Sequence, residues 1–468
     1  MKILLYYFLL IVGLGFSGNS SSQATNAAFN SAFAKFAGDA DLKHATISLF
    51  VINNTTGKTV TEVNRETGLA PASTQKTVTA ATAFALLGKN FSYKTSLGIS
   101  GKIKDSVLQG DVFIKGSGDP TLGSWRYAQT KEEQIIETFT TALRNKGIKD
   151  ITGNVVVDVN AWPGEVTPDG WIWQDIGNYY GAGARALNWR ENQYDLKLKS
   201  GSKIGDAVKI ASSIPAIVYG LNLDCRVTSA EKGSGDNTYI YLPFNKPNGY
   251  IRGTIPMDEN SFTISGSMPQ PEDQLAISLE SAIKNQNFET IATKYKSVIT
   301  TDAKPLYFFD YSSPRLDSIA YWFLKKSINL YGEALLKTLG QIEGKEASTN
   351  AGLKVVKDFW EKQGIEAYAL NMQDGSGLSP GNRITTTDLV QVLMFAKKQS
   401  WFDAYFDGFP VINGIKMKSG SINGVISYTG FIKSNSGQEY TFAFIVNNYN
   451  GSGNETRKKM WKLLDLLK

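Results

Sequence analysis

The chain has 468 residues, of which 12% are aromatic, and it carries a formal net charge of +6. This length allows two or three domains with extensive cores, and the mixed charges indicate a globular protein rather than a disordered one. The sequence has no cluster of lysine and arginine interleaved with aromatic residues, so we expect no nucleic acid among its partners.

The N-terminus has the pattern of a secretory signal peptide. A short basic start precedes an apolar run over residues 3–16, and small residues then lead to a suitable cleavage point between Ala24 and Thr25. We therefore expect residues 1–24 to be removed during secretion across the inner membrane, and the mature protein to be periplasmic. No other stretch is long and apolar enough to predict a membrane span.

The single cysteine and the single histidine limit the chemistry of the protein. Cys225 cannot form an intrachain disulfide, and we expect it to be a small buried hydrophobic residue. Unless His44 lies in the site, a Ser-His-Asp triad is excluded, as is a site with two histidine ligands. We therefore expect no metal, no cofactor and a catalytic base other than histidine.

A serine and a lysine lie at the start of a predicted helix between residues 71 and 88. The Ala- and Leu-rich run after Ser73 has apolar residues at three- and four-residue spacing and stops at Gly88, which predicts a buried helix. Lys76 would then share a helix face with Ser73 and could act as its base. Alone, the pattern is weak, because a serine at a helix start is usually only an N-cap.

The middle of the chain differs in character from the segment before it. Ile47–Ile52 and Lys58–Val63 predict two strands joined by a turn. Residues 94–267 are mostly short strand-like runs with Gly, Asp, Asn and Pro turns, interrupted by one predicted helix at about residues 131–146. We therefore predict that residues 94–267 form inserted β-rich domains, two of them nested.

Helices and then strands follow this middle region. Helical patterns extend from about residue 272 to 399, one of them over residues 316–326, with a strand-like connection at 297–309. Strand-like segments return between residues 416 and 447, one of them over residues 425–433. An amphipathic helix over residues 456–468 closes the chain; it could contact a membrane surface weakly, although docking on a sheet is favoured. The strands and helices predicted in the N-terminal and C-terminal parts of the chain together indicate one α+β domain.

Three further motifs follow Ser73 and Lys76 in a fixed order. A Ser-Ile-Asn triplet occupies residues 327–329 between two predicted helices, and a glycine-rich loop spans residues 374–379. A Lys-Ser-Gly triplet at residues 418–420 lies on a predicted strand, where alternate residues share a face. Each motif alone is more often an ordinary turn or strand end, so the significance lies in their order.

This ordered set resembles the serine penicillin-recognising enzymes, whose signature is Ser-x-x-Lys, Ser-x-Asn and Lys-Thr/Ser-Gly. More narrowly, the chain is similar to the class C low-molecular-mass penicillin-binding proteins, the D-alanyl-D-alanine carboxypeptidase/endopeptidase family. The gap of about 250 residues between the first two motifs fits the large insertion of that family. The matching stretches are residues 71–76, 118–122, 170–175 and 374–379.

The resemblance implies a fold and an activity. The fold is a β-lactamase/transpeptidase-like α+β domain made from residues 25–93 and 268–468, with an antiparallel sheet flanked by helices. The activity is that of a serine-type D-Ala-D-Ala carboxypeptidase, a D-alanyl endopeptidase or both, acting on peptidoglycan stem peptides through an acyl-enzyme, with β-lactams as covalent inhibitors.

One alternative is a β-lactamase or esterase on the same core, although no deacylating-glutamate motif is evident. Another is a non-catalytic cell-wall scaffold, although the catalytic side chains are all present.

The resemblance also implies roles for individual residues. Ser73 attacks the carbonyl carbon of the penultimate D-alanine, and Lys76 accepts the proton of Ser73. Ser327 relays a proton to the departing D-alanine. Asn329 holds a substrate amide and orients Lys76.

The strand motif and its neighbour are implied to bind the substrate. Lys418 supplies positive potential for the terminal carboxylate, and the hydroxyl of Ser419 donates a hydrogen bond to it. Gly420 permits close backbone approach. The backbone N–H groups of Ser73 and Ser421 form the oxyanion hole.

Asp175 matches a carboxylate that faces the amino group of the peptide's diamino acid in relatives, so it is a specificity candidate. Trp171 and Trp173 beside it fit either a loop anchor or a substrate-contacting wall. The stretch before Lys418 looks shortened, and Pro380 stands where some relatives have an arginine near the substrate. The resemblance therefore implies the catalytic residues but does not extend to the substrate preference.

Overall fold

The computed structural model describes residues 19–243, 248–294, 304–366 and 368–468, with side chains from residue 28 onward. Most of the predicted signal peptide, residues 1–18, lies outside the described residues, and the predicted cleavage point falls within the first helix.

The α-helices are α1 Asn19–Ala37, α2 Lys76–Leu87, α3 Glu132–Asn145, α4 Trp173–Ile176, α5 Pro271–Lys284, α6 Phe288–Ala292, α7 Leu316–Lys326, α8 Asn329–Glu343, α9 Thr349–Lys362, α10 Thr386–Lys397, α11 Phe402–Asp407 and α12 Gly453–Leu464. The strands are β1 Thr46–Asn53, β2 Thr59–Val63, β3 Lys94–Ile99, β4 Lys102–Lys104, β5 Val107–Gln109, β6 Val112–Lys115, β7 Asp150–Ile151, β8 Val155–Asp158, β9 Gln193–Lys199, β10 Lys209–Ile214, β11 Asn222–Ala230, β12 Tyr239–Tyr241, β13 Asn248–Pro256, β14 Phe262–Ser267, β15 Leu306–Ser312, β16 Leu370–Asn371, β17 Arg383–Ile384, β18 Val411–Ile412, β19 Ile415–Ile422, β20 Val425–Lys433 and β21 Glu439–Asn447.

The largest sheet among the described residues draws its strands from both ends of the chain. Its order is β18-β19-β20-β21-β1-β2, and every neighbouring pair is antiparallel. β1 pairs with β21 in continuous register, from Thr46 opposite Asn447 to Asn53 opposite Tyr440. A strand from the N-terminal part therefore lies beside the last strand of the chain, as the sequence predicted.

Helices cover both faces of this sheet. On one face α1 and α12 contribute Phe36 and Met460 to a core that includes Phe444 of β21. On the other face α2 and α7–α11 share a larger core, which includes Phe84 and Leu335. Alternate strand residues point to opposite faces, so the apolar run over residues 442–446 of β21 is buried on both sides of the sheet. The predicted α+β class and the flanking helices are confirmed, and the terminal helix docks on the sheet.

A separate hydrophobic core holds the β-rich middle of the chain. It contains Leu97 and Phe139, which are inaccessible to solvent, together with α5 and Tyr311 of β15. β15 also pairs with β3, so residues on both sides of position 268 share one sheet. By packing, the insertion extends to Ser312, and the boundary predicted at residue 268 is better placed there. The division into nested domains stays a prediction.

Two further expectations concern segments around this insertion. The strand-like connection at residues 297–309 lies partly outside the described residues, and its described part contributes to β15. Cys225 was predicted to be buried but is only half-buried, because β11 alternates covered and exposed residues along its first half; it packs against the core of the insertion. Within the ranges that the structure describes, no helix is long and apolar enough to cross a membrane.

Candidate active site

Ser73 lies on a tight turn that leads into α2. Residues 72–75 form a 3-10 turn and α2 begins at Lys76, slightly later than the helix start predicted at Ser73. The helix ends before Gly88, as predicted, and its first nine residues are buried, which their mainly small Ala, Thr and Val side chains allow. Ala72 has a φ of 46°, a strained conformation for a residue other than glycine. This strain lies directly before Ser73.

Lys76 is fully buried and lies at the centre of the site. Its Nζ is 3.0 Å from the hydroxyl oxygen of Ser73, and it donates to Asn329 Oδ1 and to the carbonyl oxygen of Ser376, each at 2.6 Å. Burial lowers the pKa of Lys76 from 10.5 to about 7, although two nearby carboxyl groups act in the opposite direction. A lysine that is partly neutral at pH 7 can accept a proton from Ser73.

The break between α7 and α8 positions Ser327 and Asn329. Ser327 adopts the left-handed conformation with a φ of 59°, and Asn329 begins α8. The amide of Asn329 accepts from Lys76 and donates through Nδ2 to the carbonyl oxygen of Tyr180 at 2.8 Å. Because both ends of this amide are engaged, its orientation toward Lys76 is fixed.

β19 brings a second lysine to the site. The buried Lys418 donates through Nζ to the hydroxyl of Ser327 at 3.0 Å and to the carbonyl oxygen of Ser419 at 2.6 Å. Burial, together with the charge of Lys76, lowers the pKa of Lys418 well below its usual value. A Cβ on Gly420 would lie 2.7 Å from the backbone nitrogen of Ser73, so only glycine lets β19 approach this closely.

The carboxylate of Asp374 organises the glycine-rich loop beside Ser73. It accepts hydrogen bonds from several side-chain and backbone N–H groups at 2.6 to 3.1 Å: those of Gln75, Trp171, Gly377, Ser379 and Asn382. Gln75 belongs to the Ser73 turn, and Trp171 belongs to the insertion. One carboxylate therefore joins the loop, the turn and the insertion, a role that no local sequence pattern indicated.

Glu333 is a further buried residue that the sequence did not single out. It lies four residues after Asn329 on α8, and its carboxyl oxygens accept from the backbone N–H of Gly375 at 3.0 and 3.2 Å. Burial, and next the negative charge of Asp374, raise the pKa of Glu333 to about 8. The helical spacing from Asn329 was the one signal that could have placed Glu333 near the site.

These groups open into a cleft of about 680 Å³. Of the predicted site residues, Ser73, Ser327, Asn329, Asp175 and Ser421 line it, whereas Lys76 and Lys418 are buried behind the serines that they contact. Burial raises the pKa of Asp175 to about 6, against the effect of a hydrogen bond from the Tyr180 side chain.

The single histidine, His44, is not one of the residues that line this cleft. Its side chain is exposed. Within the described part of the chain, no three or more His, Cys, Asp and Glu side chains gather as a metal site would require. The functional groups at the cleft are hydroxyl, ammonium, guanidinium, amide and carboxyl groups.

Comparison with known proteins identifies the family. The model of the D-Ala-D-Ala carboxypeptidase 3 (S13) family matches residues 29–467. D-alanyl-D-alanine carboxypeptidase DacB of Haemophilus influenzae is 24% identical over 86% of this chain and 85% of its own length. The D-alanyl-D-alanine carboxypeptidase of Actinomadura sp. R39 is 23% identical over 88% and 80%.

A solved structure shows the same fold. The crystal structure of penicillin-binding protein 4 from H. influenzae matches with a TM-score of 0.72 and 22% identity, covering 90% of this chain and 95% of that one. A second structure of that protein, complexed with a β-lactam, matches with a TM-score of 0.68 and 21% identity over 91% and 96%. The chain therefore belongs to the D-Ala-D-Ala carboxypeptidase 3 (S13) family and is a low-molecular-mass penicillin-binding protein.

Proposed function

We propose that Ser73 is the nucleophile of a periplasmic carboxypeptidase and D-alanyl endopeptidase that acts on peptidoglycan stem peptides. The observation that carries the proposal is the 3.0 Å contact between Ser73 and a fully buried Lys76, at the floor of an open cleft. Family membership and the names of the relatives support the carboxypeptidase activity. The cleft is also in the size range of pockets that hold ligands larger than a dipeptide, which supports cross-linked peptides as substrates.

Acylation would begin with Ser73. Its Oγ forms a bond to the carbonyl carbon of the penultimate D-alanine while the proton passes to neutral Lys76. The backbone N–H groups of Ser73 and Ser421 stabilise the oxyanion. The C–N bond then breaks, and the departing amine receives a proton through Ser327, whose hydroxyl lines the cleft. Water later hydrolyses the acyl-enzyme by the same groups.

Lys418 and Ser419 would bind the terminal carboxylate. Burial disfavours the charged form of Lys418, and an anion placed beside it favours that form again. Substrate carboxylate and protonated Lys418 therefore stabilise each other, which favours peptides that end in a free carboxylate. Asp175, which also lines the cleft, would pair with an amino group of the stem peptide.

Intact-mass spectrometry after brief exposure to benzylpenicillin tests this proposal, with Ser73→Ala and the exposed-turn variant Ser436→Ala alongside. We expect a penicilloyl adduct on the wild type and on Ser436→Ala, and none on Ser73→Ala. Chromatography should show D-alanine released from a stem pentapeptide by the same two proteins. Consumption of the drug without an adduct would indicate a β-lactamase, and an intact drug without an adduct would refute the assignment of Ser73.

A further inference from the structure

A group of exposed aromatic side chains lies beside the active-site cleft. Trp173 and Tyr179 are each 53% exposed, and Tyr239 is 37% exposed. Tyr179 and Tyr239 line the cleft directly, and Trp173 lies between Ile172 and Gln174, which also line it. We call Trp173, Tyr179 and Tyr239 the aromatic shelf. Large rings exposed together at the rim of a cleft indicate a binding surface.

The insertion holds the shelf in place. The Trp173 ring packs edge-on against Tyr241 with centroids 5.0 Å apart, and Tyr241 stacks on Tyr250, also at 5.0 Å. The guanidinium of Arg252 lies 4.6 Å above the Tyr241 ring and donates to its hydroxyl at 2.8 Å. A Cβ on Gly177 would lie 2.1 Å from the carbonyl oxygen of Ile240, so this segment lies directly against β12. The shelf is therefore supported rather than loosely exposed.

The short segment over residues 171–175 links the shelf to the residues around Ser73. The indole of Trp171 donates to Asp374 at 2.9 Å, in the loop beside Ser73, and Asp175 faces the cleft. Trp173 lies between these two residues and contacts the β12–β13 sheet. Ser73, Asp175 and the two shelf tyrosines line one cleft, so a stem peptide bound at Ser73 shares this cleft with the shelf.

We propose that the aromatic shelf binds the N-acetylated amino sugar to which the stem peptide is attached. The inference rests on the proposed function, because it requires a stem peptide bound at Ser73. An amide bond joins the stem peptide to this sugar at the peptide's N-terminal end, so the sugar must lie beyond the diamino acid. Sugar rings present C–H faces that stack on aromatic faces, and tyrosine hydroxyls can bond to N-acetyl groups. The shelf offers both kinds of contact beside the cleft.

The test compares a free stem pentapeptide with the same peptide on its disaccharide. For each substrate kcat/KM is measured from D-alanine release by chromatography, for the wild type, Trp173→Ala, Trp173→Phe, Tyr239→Ala and Tyr368→Ala. Tyr368 is 92% exposed and is the matched control, because it lies outside the cleft lining. We expect the wild type to favour the disaccharide substrate by about fivefold to tenfold.

The ratio of the two kcat/KM values should fall toward one in Trp173→Ala and in Tyr239→Ala. Trp173→Phe should keep most of the preference, and Tyr368→Ala should keep all of it. A wild-type ratio of one, or a ratio that neither alanine variant changes, would overturn the proposal. Equal losses on both substrates would instead assign the shelf to the peptide. Benzylpenicillin acylation of Ser73 reports separately on the proposed function, so an adduct with an unchanged ratio rejects the shelf alone.

Discussion

The proposed role of Lys76 as the base for Ser73 makes the rate of acylation depend on pH in a defined direction. Burial lowers the pKa of this lysine to about 7, and only the neutral form can accept the proton of Ser73. The charged form increases below this pKa, so the rate of acylation must fall as the pH falls through 7. Above the pKa the lysine is already neutral, and the rate should approach a plateau.

The size of the effect follows from the shift in pKa. At pH 7 a lysine with the ordinary value of 10.5 would be neutral in about one molecule in 3,000, whereas a lysine with a pKa of about 7 is neutral in about half. Burial therefore increases the reactive population about a thousandfold. Between pH 6 and pH 5 the neutral fraction, and with it the rate, should fall about tenfold.

The assay is the second-order rate of benzylpenicillin acylation from pH 5 to pH 9, measured by quenched intact-mass spectrometry at constant ionic strength. Asn329→Asp is the companion variant, because it places a carboxylate 2.6 Å from Nζ of Lys76, where the wild type has an amide oxygen. An adjacent negative charge raises the pKa of a lysine, so the midpoint should move to higher pH. A wild-type rate that is constant from pH 5 to pH 8, or an Asn329→Asp midpoint that does not rise, would refute the role given to Lys76.

Two further predictions concern glycine packing and a buried carboxyl group. Gly420→Ala should slow benzylpenicillin acylation at least about a hundredfold with an unchanged circular dichroism spectrum, because the added methyl group would meet the Ser73 nitrogen at 2.7 Å; Gly164→Ala, which points into open space, should leave the rate unchanged. Glu333 holds a proton in the folded state up to a pKa of about 8, against 4.5 when unfolded, so its contribution to stability declines as the pH rises from about 4.5 to 8. The melting temperature of Glu333→Gln relative to the wild type should therefore increase over this range, and a constant difference would contradict the assignment.

Several elements could be placed from the sequence because their signals are local. α7 was predicted over residues 316–326 and β20 over residues 425–433, and both have these bounds in the structure. A helical period that ends at a turn, or an apolar run between turn residues, is complete within its own segment. The order of the motifs likewise indicated which distant residues share the site, and the structure brings Lys76, Ser327 and Lys418 together.

Other features depended on contacts that no local pattern reveals. The pairing of β15 with β3 joins segments more than 200 residues apart, and an amphipathic helix such as α5 could have packed in either core. The buried Glu333 looked like an ordinary helix residue, because glutamate is a good helix former on any exposed face. The hydrogen bonds of Asp374 connect three separate parts of the chain, so its role followed only from the folded structure.

The insertion contributes contacts to the proposed catalytic arrangement as well as residues to the lining of the cleft. The carbonyl oxygen of Tyr180 holds the amide of Asn329, which in turn contacts Lys76, and the indole of Trp171 holds Asp374. Both contacts come from the inserted region, and each fixes a group of the main domain that lies within one hydrogen bond of the Ser73 turn or its base. Because misplacement by even about 1 Å can cost two orders of magnitude in rate, these two contacts would tie the proposed catalysis at Ser73 to the insertion. The segment that makes them also contributes Asp175 to the lining of the cleft, so the proposed site depends on more of the chain than its three motifs.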